Sequence, residues 1–376
     1  MITKLSHARL DFHALEKNWK AIEKRVGKNT TIAPCVKSNA YGHGMLETVE
    51  ILTKLGAKVL CVADLYEAER VLSHVSSSTQ VFCMGGIDAQ RVSLLAPYIE
   101  FGQLHLSVHS MEDLDQIEKA KVSQVHLHMQ IETGMNRLGF SLDDVPAVLD
   151  RIEKIEKISL VGAFTHFADS DQDMAFTLEQ SLLFDQAQSI FKSRAYESLI
   201  LHSANSGAIL SSVGTQLDWV RPGIMLYGYP PSTDLEIKKE FEPVMTWSAP
   251  IVTIKKVKKG QSVGYAREYK ATKDLTLATL AVGYGDGFDL SYAAAWVGYK
   301  EQRCKILGRV CMDLIMIDVS EIPDPRQGDF VHLMGDGAHS EPTALDLSWI
   351  KQSIPYEVLC RIGSRVQRTV HFSHKG

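Results

Sequence analysis

Short apolar runs recur at even intervals along the first 228 residues, near 30–37, 58–65, 80–86, 104–109, 124–131, 160–168, 198–203 and 219–227. Each is of strand length and mostly apolar, the pattern of a strand covered on both faces. Between them the period lengthens to that of amphipathic helices, as at 65–72, at 142–152, where Pro146 suits a first helical turn, and at 178–194. Eight strands alternating with helices predict a parallel, closed (β/α)8 barrel of the TIM type. An open, doubly wound sheet fits the same alternation. Pro230-Pro231-Ser232-Thr233-Asp234 then breaks the pattern as a linker. Beyond it lie short β-rich runs at 244–257, 275–282, 303–310, 314–319 and 330–334, with helical period returning only near 344–353. The expected organisation is a barrel over residues 1–232 followed by a mostly-β C-terminal domain over 233–376.

Composition narrows this picture mainly by exclusion. A net charge of −5 argues against a broad basic face for nucleic acid. No apolar run approaches the roughly 20 residues needed to span a bilayer, and the first residues lack the apolar core of a signal peptide. Six scattered cysteines (35, 61, 83, 304, 311 and 360) include no CxxC pair, and most sit in apolar runs. Reduced, buried thiols and a cytoplasmic location are expected, with no metal site.

The residues able to do chemistry fall where the predicted strands end, which is where barrels of this kind place their active sites. Strand 1 stops at Lys37, with Tyr41 and His43 just beyond. A lysine at the end of a buried strand faces a cleft rather than bulk water. Partial desolvation lowers an ammonium pKa and leaves a nucleophilic amine, suited to Schiff-base formation with an aldehyde. Strand 5 runs out through 130–137 to Arg137, strand 6 through Thr165-His166-Phe167, and strand 7 into Asn205-Ser206-Gly207. Strand 8 carries Arg221, Gly223 and Ile224. Loops after strands 7 and 8 commonly cradle phosphate through backbone N–H groups and a helix N-terminus. A phosphate cradle facing a strand-end lysine is what pyridoxal phosphate requires, covalent attachment at one end and phosphate at the other. Arg221 would then lie near its ring and reach the pyridine nitrogen.

The motif Val36-Lys37-Ser38-Asn39-Ala40-Tyr41-Gly42-His43-Gly44 resembles the cofactor-binding signature of the alanine racemases, pyridoxal-phosphate enzymes of fold type III. Matches continue through 132–140, 165–168, 202–206, 220–228 and 262–265 to 308–313 and 354–357. The resemblance implies that Lys37 is the Schiff-base lysine and one catalytic base, and that Tyr265 is the second base, on the opposite face of the substrate. It implies phosphate-side contacts at Tyr41, Ser206, Gly223, Ile224 and Tyr356, with Asn205 beside them, and places His166 next to the cofactor ring. Arg137 would meet the cofactor's phenolic oxygen and the substrate carboxylate, which the backbone of Met312 would also hold. It further implies a homodimer in which the partner chain supplies the tyrosine and the methionine, and a role in making or consuming D-alanine for the bacterial cell wall.

Three positions depart from the family pattern. Gln130 stands where many members carry a lysine that becomes carbamylated, Leu290 where an arginine is usual, and Leu314 where a glutamine is common. These leave substrate preference open, so a serine or broad-specificity racemase is the rival of the same chemistry. A decarboxylase on the same barrel would need a carboxylate at the cofactor nitrogen, and Arg221 argues against it. A non-catalytic cofactor carrier would leave Tyr265 and residues 240–376 unexplained. The Gly283/Gly285/Gly287 run has the wrong spacing and surroundings for a dinucleotide loop.

Overall fold

The computed structural model describes residues 6–232 and 240–372. Thr233 and Asp234 of the expected linker lie outside the described residues, and the expected boundary after residue 232 falls against them. The chain divides into two compact units. One comprises Trp19–Ala40 and Thr48–Leu226, the other Met1–Asn18, Tyr41–Glu47 and Tyr227–Gly376.

The first unit is a parallel barrel of eight strands: β1 (Thr31–Ile32), β2 (Val59–Val62), β3 (Gln80–Cys83), β4 (Leu104–Val108), β5 (Val125–Gln130), β6 (Ile158–Phe164), β7 (Ile200–His202) and β8 (Trp219–Val220). Ladders join β2 through β8 in sequence order, and β8 pairs with β1. Closure between β1 and β2 rests on one bridge, Cys35 with Cys61. The Cys61 amide donates to the Pro34 carbonyl (2.9 Å) and the Val36 amide to the Cys61 carbonyl (2.9 Å). Prolines explain why the first and last strands are shorter than their apolar runs. Pro34 offers no N–H to a ladder, and Pro222 ends β8 before residues Ile224–Tyr227 turn into a 3-10 helix. Outward-facing residues such as Leu106, Leu127 and Met129 are buried, while every second residue of β4 and β5 is polar and points into the barrel: His105, Ser107, His126, His128 and Gln130.

The second unit is built on a mixed sheet. Its spatial order is Gln302–Lys305, Trp296–Tyr299, Phe330–Met334, Met245–Val257, His7–Asp11 and Gln367–His371, with Leu275–Leu280 and Ile315–Asp318 branching from the long central strand. His7–Asp11 pairs antiparallel with Met245–Val257 and parallel with Gln367–His371. The N-terminal strand thus belongs with the C-terminal β domain. All six cysteines are free thiols, four of them buried. Among the described residues no helix is long and apolar enough to cross a membrane.

Candidate active site

Lys37 opens a turn whose next four residues, Ser38 to Tyr41, all have φ between 52° and 54°. Left-handed backbone is costly for residues with a Cβ, and a run of four persists only when its surroundings hold it. Glu67 supplies part of that hold on the barrel side. One carboxylate oxygen accepts from the Ser38 amide (2.6 Å) and the other from the Ala63 amide (2.8 Å), clasping the loops that follow β1 and β2.

Across the barrel mouth, Arg221 is 2% exposed. Its Nη1 donates to Nδ1 of His202 (2.5 Å), and its Nη2 donates to the carbonyls of Thr165 (2.7 Å) and Ser203 (3.1 Å) and lies 3.4 Å from Nδ1 of His166. Among the described residues its Nε is a buried N–H with no acceptor. An orphaned guanidinium N–H in a buried site asks for an acceptor atom, because arginine only donates. His166 is held neutral. Burial first, then the charges of Arg221, Arg137 and Lys37, push its pKa well below the usual histidine range. The charges of Arg221, Arg137 and Lys37 thus all bear on one imidazole, a setting that favours an anionic guest.

The turns after β7 and β8 meet at Ser206. Its Oγ accepts from the amides of Gly223 (2.9 Å) and Met225 (3.4 Å). Asn205 caps the short helix Ser206–Ser211: its Oδ1 accepts from the Ala208 amide (3.1 Å) and the Ser170 hydroxyl (2.6 Å), while its Nδ2 donates to the Phe167 carbonyl (3.2 Å). A Cβ on Gly207 would come 2.6 Å from the Ser170 hydroxyl and 3.1 Å from the Asp171 amide, so glycine lets this turn lie close against the loop after β6. Asn205 acts on the protein's own loops here, and Ser206 takes up the Gly223 amide, which was expected to face phosphate, together with that of Met225.

The loop after β5 folds back on its strand. Ile131 bridges Phe140, the Glu132 amide donates to the Phe140 carbonyl (2.9 Å), and Nε2 of Gln130 donates to the Leu138 carbonyl (2.9 Å). Gln130 thus braces the backbone that carries Arg137, whose side chain projects into solvent at the loop tip. Gln180, fully buried on the helix Met174–Ser193, ties this loop to the next: it donates to the Thr133 hydroxyl (3.2 Å) and the His166 carbonyl (3.3 Å) and accepts from the Ala168 amide (2.9 Å). Neither Gln180 nor His128 and His105, behind His202, figured in the expected site. The polar alternation in β4 and β5 was the signal that could have found the latter.

The second unit brings Tyr41 and Tyr356 together, with ring centroids 5.8 Å apart, and Tyr227 lies 5.1 Å from Tyr41. Arg368 organises this corner by donating to the carbonyls of Gly42, Ile362, Gly363 and Val366. Gly42, at φ 79°, lies where a Cβ would come 2.0 Å from the Leu359 carbonyl oxygen. Tyr265 sits on a 3-10 turn after Gly264 and is 69% exposed. Met312 is 53% exposed, and its carbonyl accepts from the Gly285 amide (2.9 Å). Two of the glycines in the 283–287 run serve this contact, since a Cβ on Gly283 would lie 2.4 Å and one on Gly285 3.1 Å from the Met312 carbonyl oxygen, while a Cβ on Gly287 would instead come 2.1 Å from the Arg361 carbonyl oxygen.

Residues 10–231 match the family model described as alanine racemase, N-terminal domain, and residues 244–370 match alanine racemase, C-terminal domain. The chain is 36% identical to an alanine racemase of Clostridium tetani over 96% of its own length and 94% of the relative's. It is 34% identical to one from Halothermothrix orenii, over 98% and 97% respectively. Among solved structures it superposes on the alanine racemase of Clostridium difficile 630 with a TM-score of 0.89 and 30% identity, covering 99% of this chain and 97% of that one.

Proposed function

We propose, for a chain that belongs to the alanine racemase family and is an enzyme of the isomerase class, that it interconverts L- and D-alanine with pyridoxal 5'-phosphate, Lys37 and Tyr265 serving as the two bases. The observation that carries the cofactor assignment is the unsatisfied Nε–H of buried Arg221 beside a neutral His166. The pyridine nitrogen is an acceptor of the kind that N–H lacks, and an anionic ring and phosphate complement the charges of Arg221, Arg137 and Lys37. Lys37 would bind the cofactor covalently, His166 would flank its ring, and Ser206, Gly223 and Ile224, with Tyr41 and Tyr356, would hold the phosphate. Asn205 supports Ser206. When bound, the cofactor supplies an electron sink that acidifies the substrate Cα–H.

The chain's own groups then divide the work. The Lys37 amine exchanges a proton on one face of Cα and the Tyr265 hydroxyl on the other, so configuration inverts without a free carbanion in water. Arg137 and the Met312 backbone hold the substrate carboxylate. Arg221, a guanidinium that does not readily give up its proton, would offer the ring nitrogen a hydrogen bond without protonating it. Since Tyr265 and Met312 are exposed within one chain, we further propose a homodimer in which each supplies them to its partner's site. A cytoplasmic location and a supply or breakdown of D-alanine for the cell wall follow from the same reading.

The test is to incubate purified, cofactor-loaded protein with a panel of L-amino acids and score D-isomers chirally. D-Alanine should form fastest. Faster turnover of serine, or equal rates across the panel, would replace alanine by the broader substrate class, for which the apolar Leu290 and Leu314 are the features to examine.

A further inference from the structure

Behind Arg221 a line of histidines crosses the barrel interior. Nδ1 of His202 takes the Arg221 guanidinium (2.5 Å), Nε2 of His202 lies 2.9 Å from Nδ1 of His128, and Nε2 of His128 lies 3.0 Å from Nδ1 of His105. The far nitrogen of His105, Nε2, lies 3.4 Å from the Gln80 side-chain amide, which also reaches the Gly102 carbonyl (3.4 Å). We propose that His202, His128 and His105 are positioning residues that aim the orphan Nε of Arg221 at the cofactor nitrogen, as a one-way chain of neutral Nε2–H imidazoles whose tautomers Arg221 dictates. The aim of the column rests on the cofactor assignment above.

The direction follows from donor counting. Arginine has no acceptor, so Nδ1 of His202 must accept and its proton must sit on Nε2. That N–H can only be received by an unprotonated Nδ1 on His128, which puts the His128 proton on Nε2, and the same step repeats at His105. The opposite tautomers would set N–H against N–H at Arg221. Each ring therefore turns its electron-rich nitrogen toward the guanidinium, and three aligned dipoles solvate a buried cation that has no carboxylate among its described hydrogen-bond partners. The rings stay neutral. Burial and the Arg221 charge hold His128 and His202 well below the usual range, and burial with neighbouring His126 brings His105 down to about 4.

The column is walled against water. Phe164 and Trp219 stack on the two sides of His202, with centroids at 4.9 and 5.1 Å, and Trp219 and Phe82 lie 5.0 and 4.7 Å from His128. Gly162 on β6 makes the space: a Cβ there would come 2.2 Å from Nδ1 of His128. With Nη1 on the column and Nη2 on the Thr165 and Ser203 carbonyls, the guanidinium cannot rotate without breaking several bonds.

Two measurements test this. The first is the long-range 1H–15N spectrum of [15N]histidine-labelled protein, with and without pyridoxal phosphate. His105, His128 and His202 should all be neutral Nε2–H tautomers, unchanged through the pH range in which an ordinary histidine titrates. An Nδ1–H tautomer or an imidazolium at any of the three would overturn the column. The second compares His128→Leu with His128→Asn in the holoenzyme. Leucine fills the space but accepts nothing, so kcat for alanine should fall about tenfold with KM held within about twofold, and the absorbance maximum of the bound cofactor should move. Asparagine restores an acceptor toward His202 and should recover most of both. A leucine variant with wild-type kcat and spectrum, or an asparagine variant no better than leucine, would reduce His128 to packing. Should the leucine variant not fold, the tautomer pattern still decides. Failure to bind cofactor would sink the function proposed above and the aim assigned to Arg221, while the spectrum of the apo chain would still settle the tautomers separately.

Discussion

Arg221 is 2% exposed and bonded through both terminal nitrogens to groups at the ends of two strands, while Tyr265 is 69% exposed on a three-residue turn. The same contrast runs through their neighbours. Ser206, His166 and the Lys37 turn are clamped by Asn205, Gln180 and Glu67, whereas Met312 stands half in solvent at a loop crossing. Of the groups proposed to hold the cofactor, Arg221 and Ser206 are buried, whereas Tyr265 and Met312, proposed to act on the substrate, are exposed in this chain. Rigid positioning suits a permanent guest, whose orientation sets every later step. A substrate that must arrive and leave is better met by groups that a second chain completes.

The largest effect is expected at Lys37. Lys37→Ala should abolish turnover and remove the visible absorbance of dialysed protein, because the covalent link is lost while the noncovalent cradle remains. Colour surviving dialysis would take Lys37 out of its role and undo the barrel half of the contrast.

Tyr265→Phe probes the other half. An exposed side chain contributes little to the fold, so stability should stay within about 0.5 kcal/mol of wild type. Loss of a positioned acid–base group should still cost roughly 10²–10⁴ in turnover. By resemblance Lys37 serves the D-isomer and Tyr265 the L-isomer, so isotope effects in the two directions should diverge. Near-wild-type rates both ways would leave Tyr265 an ordinary surface tyrosine.

A mixing experiment asks whether the unfinished half is completed by a second chain. Lys37→Ala and Tyr265→Phe chains, each inactive, are exchanged in equal amounts. About half of the dimers are then mixed, each with one intact site of two, so about a quarter of all sites should recover. No recovery after verified exchange would place both bases in one chain.

What the sequence made legible follows the same division. The barrel strands announced themselves because both faces of each are covered, and Lys37, His166, Asn205, Ser206 and Arg221 stood out as polar residues at the ends of apolar runs. The short strands His7–Asp11 and Gln367–His371 gave no such signal. Each mixes polar and apolar positions, and they pair with each other across some 360 residues, a distance at which no local pattern points to a partner. Apart from His202, the histidine column was visible only as alternation inside strands read as mostly apolar. In a narrow barrel the interior face need not be the apolar one. Clamps such as Glu67 and Gln180 are invisible to motif reading because their work is done on backbone amides and carbonyls.

Arg137 is the exception that sharpens the contrast, since it belongs to the barrel unit yet projects into solvent. Its loop is fixed by Gln130, whose amide nitrogen donates to the Leu138 carbonyl at 2.9 Å from a buried position. A carbamylated lysine at this position would carry an anion and pair with Arg137 by a charge-assisted bond. Glutamine cannot form a carbamate, and here it braces Arg137 through the backbone instead. Stripping bicarbonate should therefore leave the wild-type rate unchanged, the smallest effect expected. Gln130→Lys should behave differently. Without carbon dioxide it buries an ammonium and loses the Leu138 brace as glutamine made it, so turnover should drop about tenfold. Added bicarbonate should restore it by converting that ammonium to an anion facing Arg137. A wild-type enzyme that loses activity on degassing and regains it with bicarbonate would mean that another lysine carries the carbamate, and that Gln130 is not the residue on which Arg137 depends.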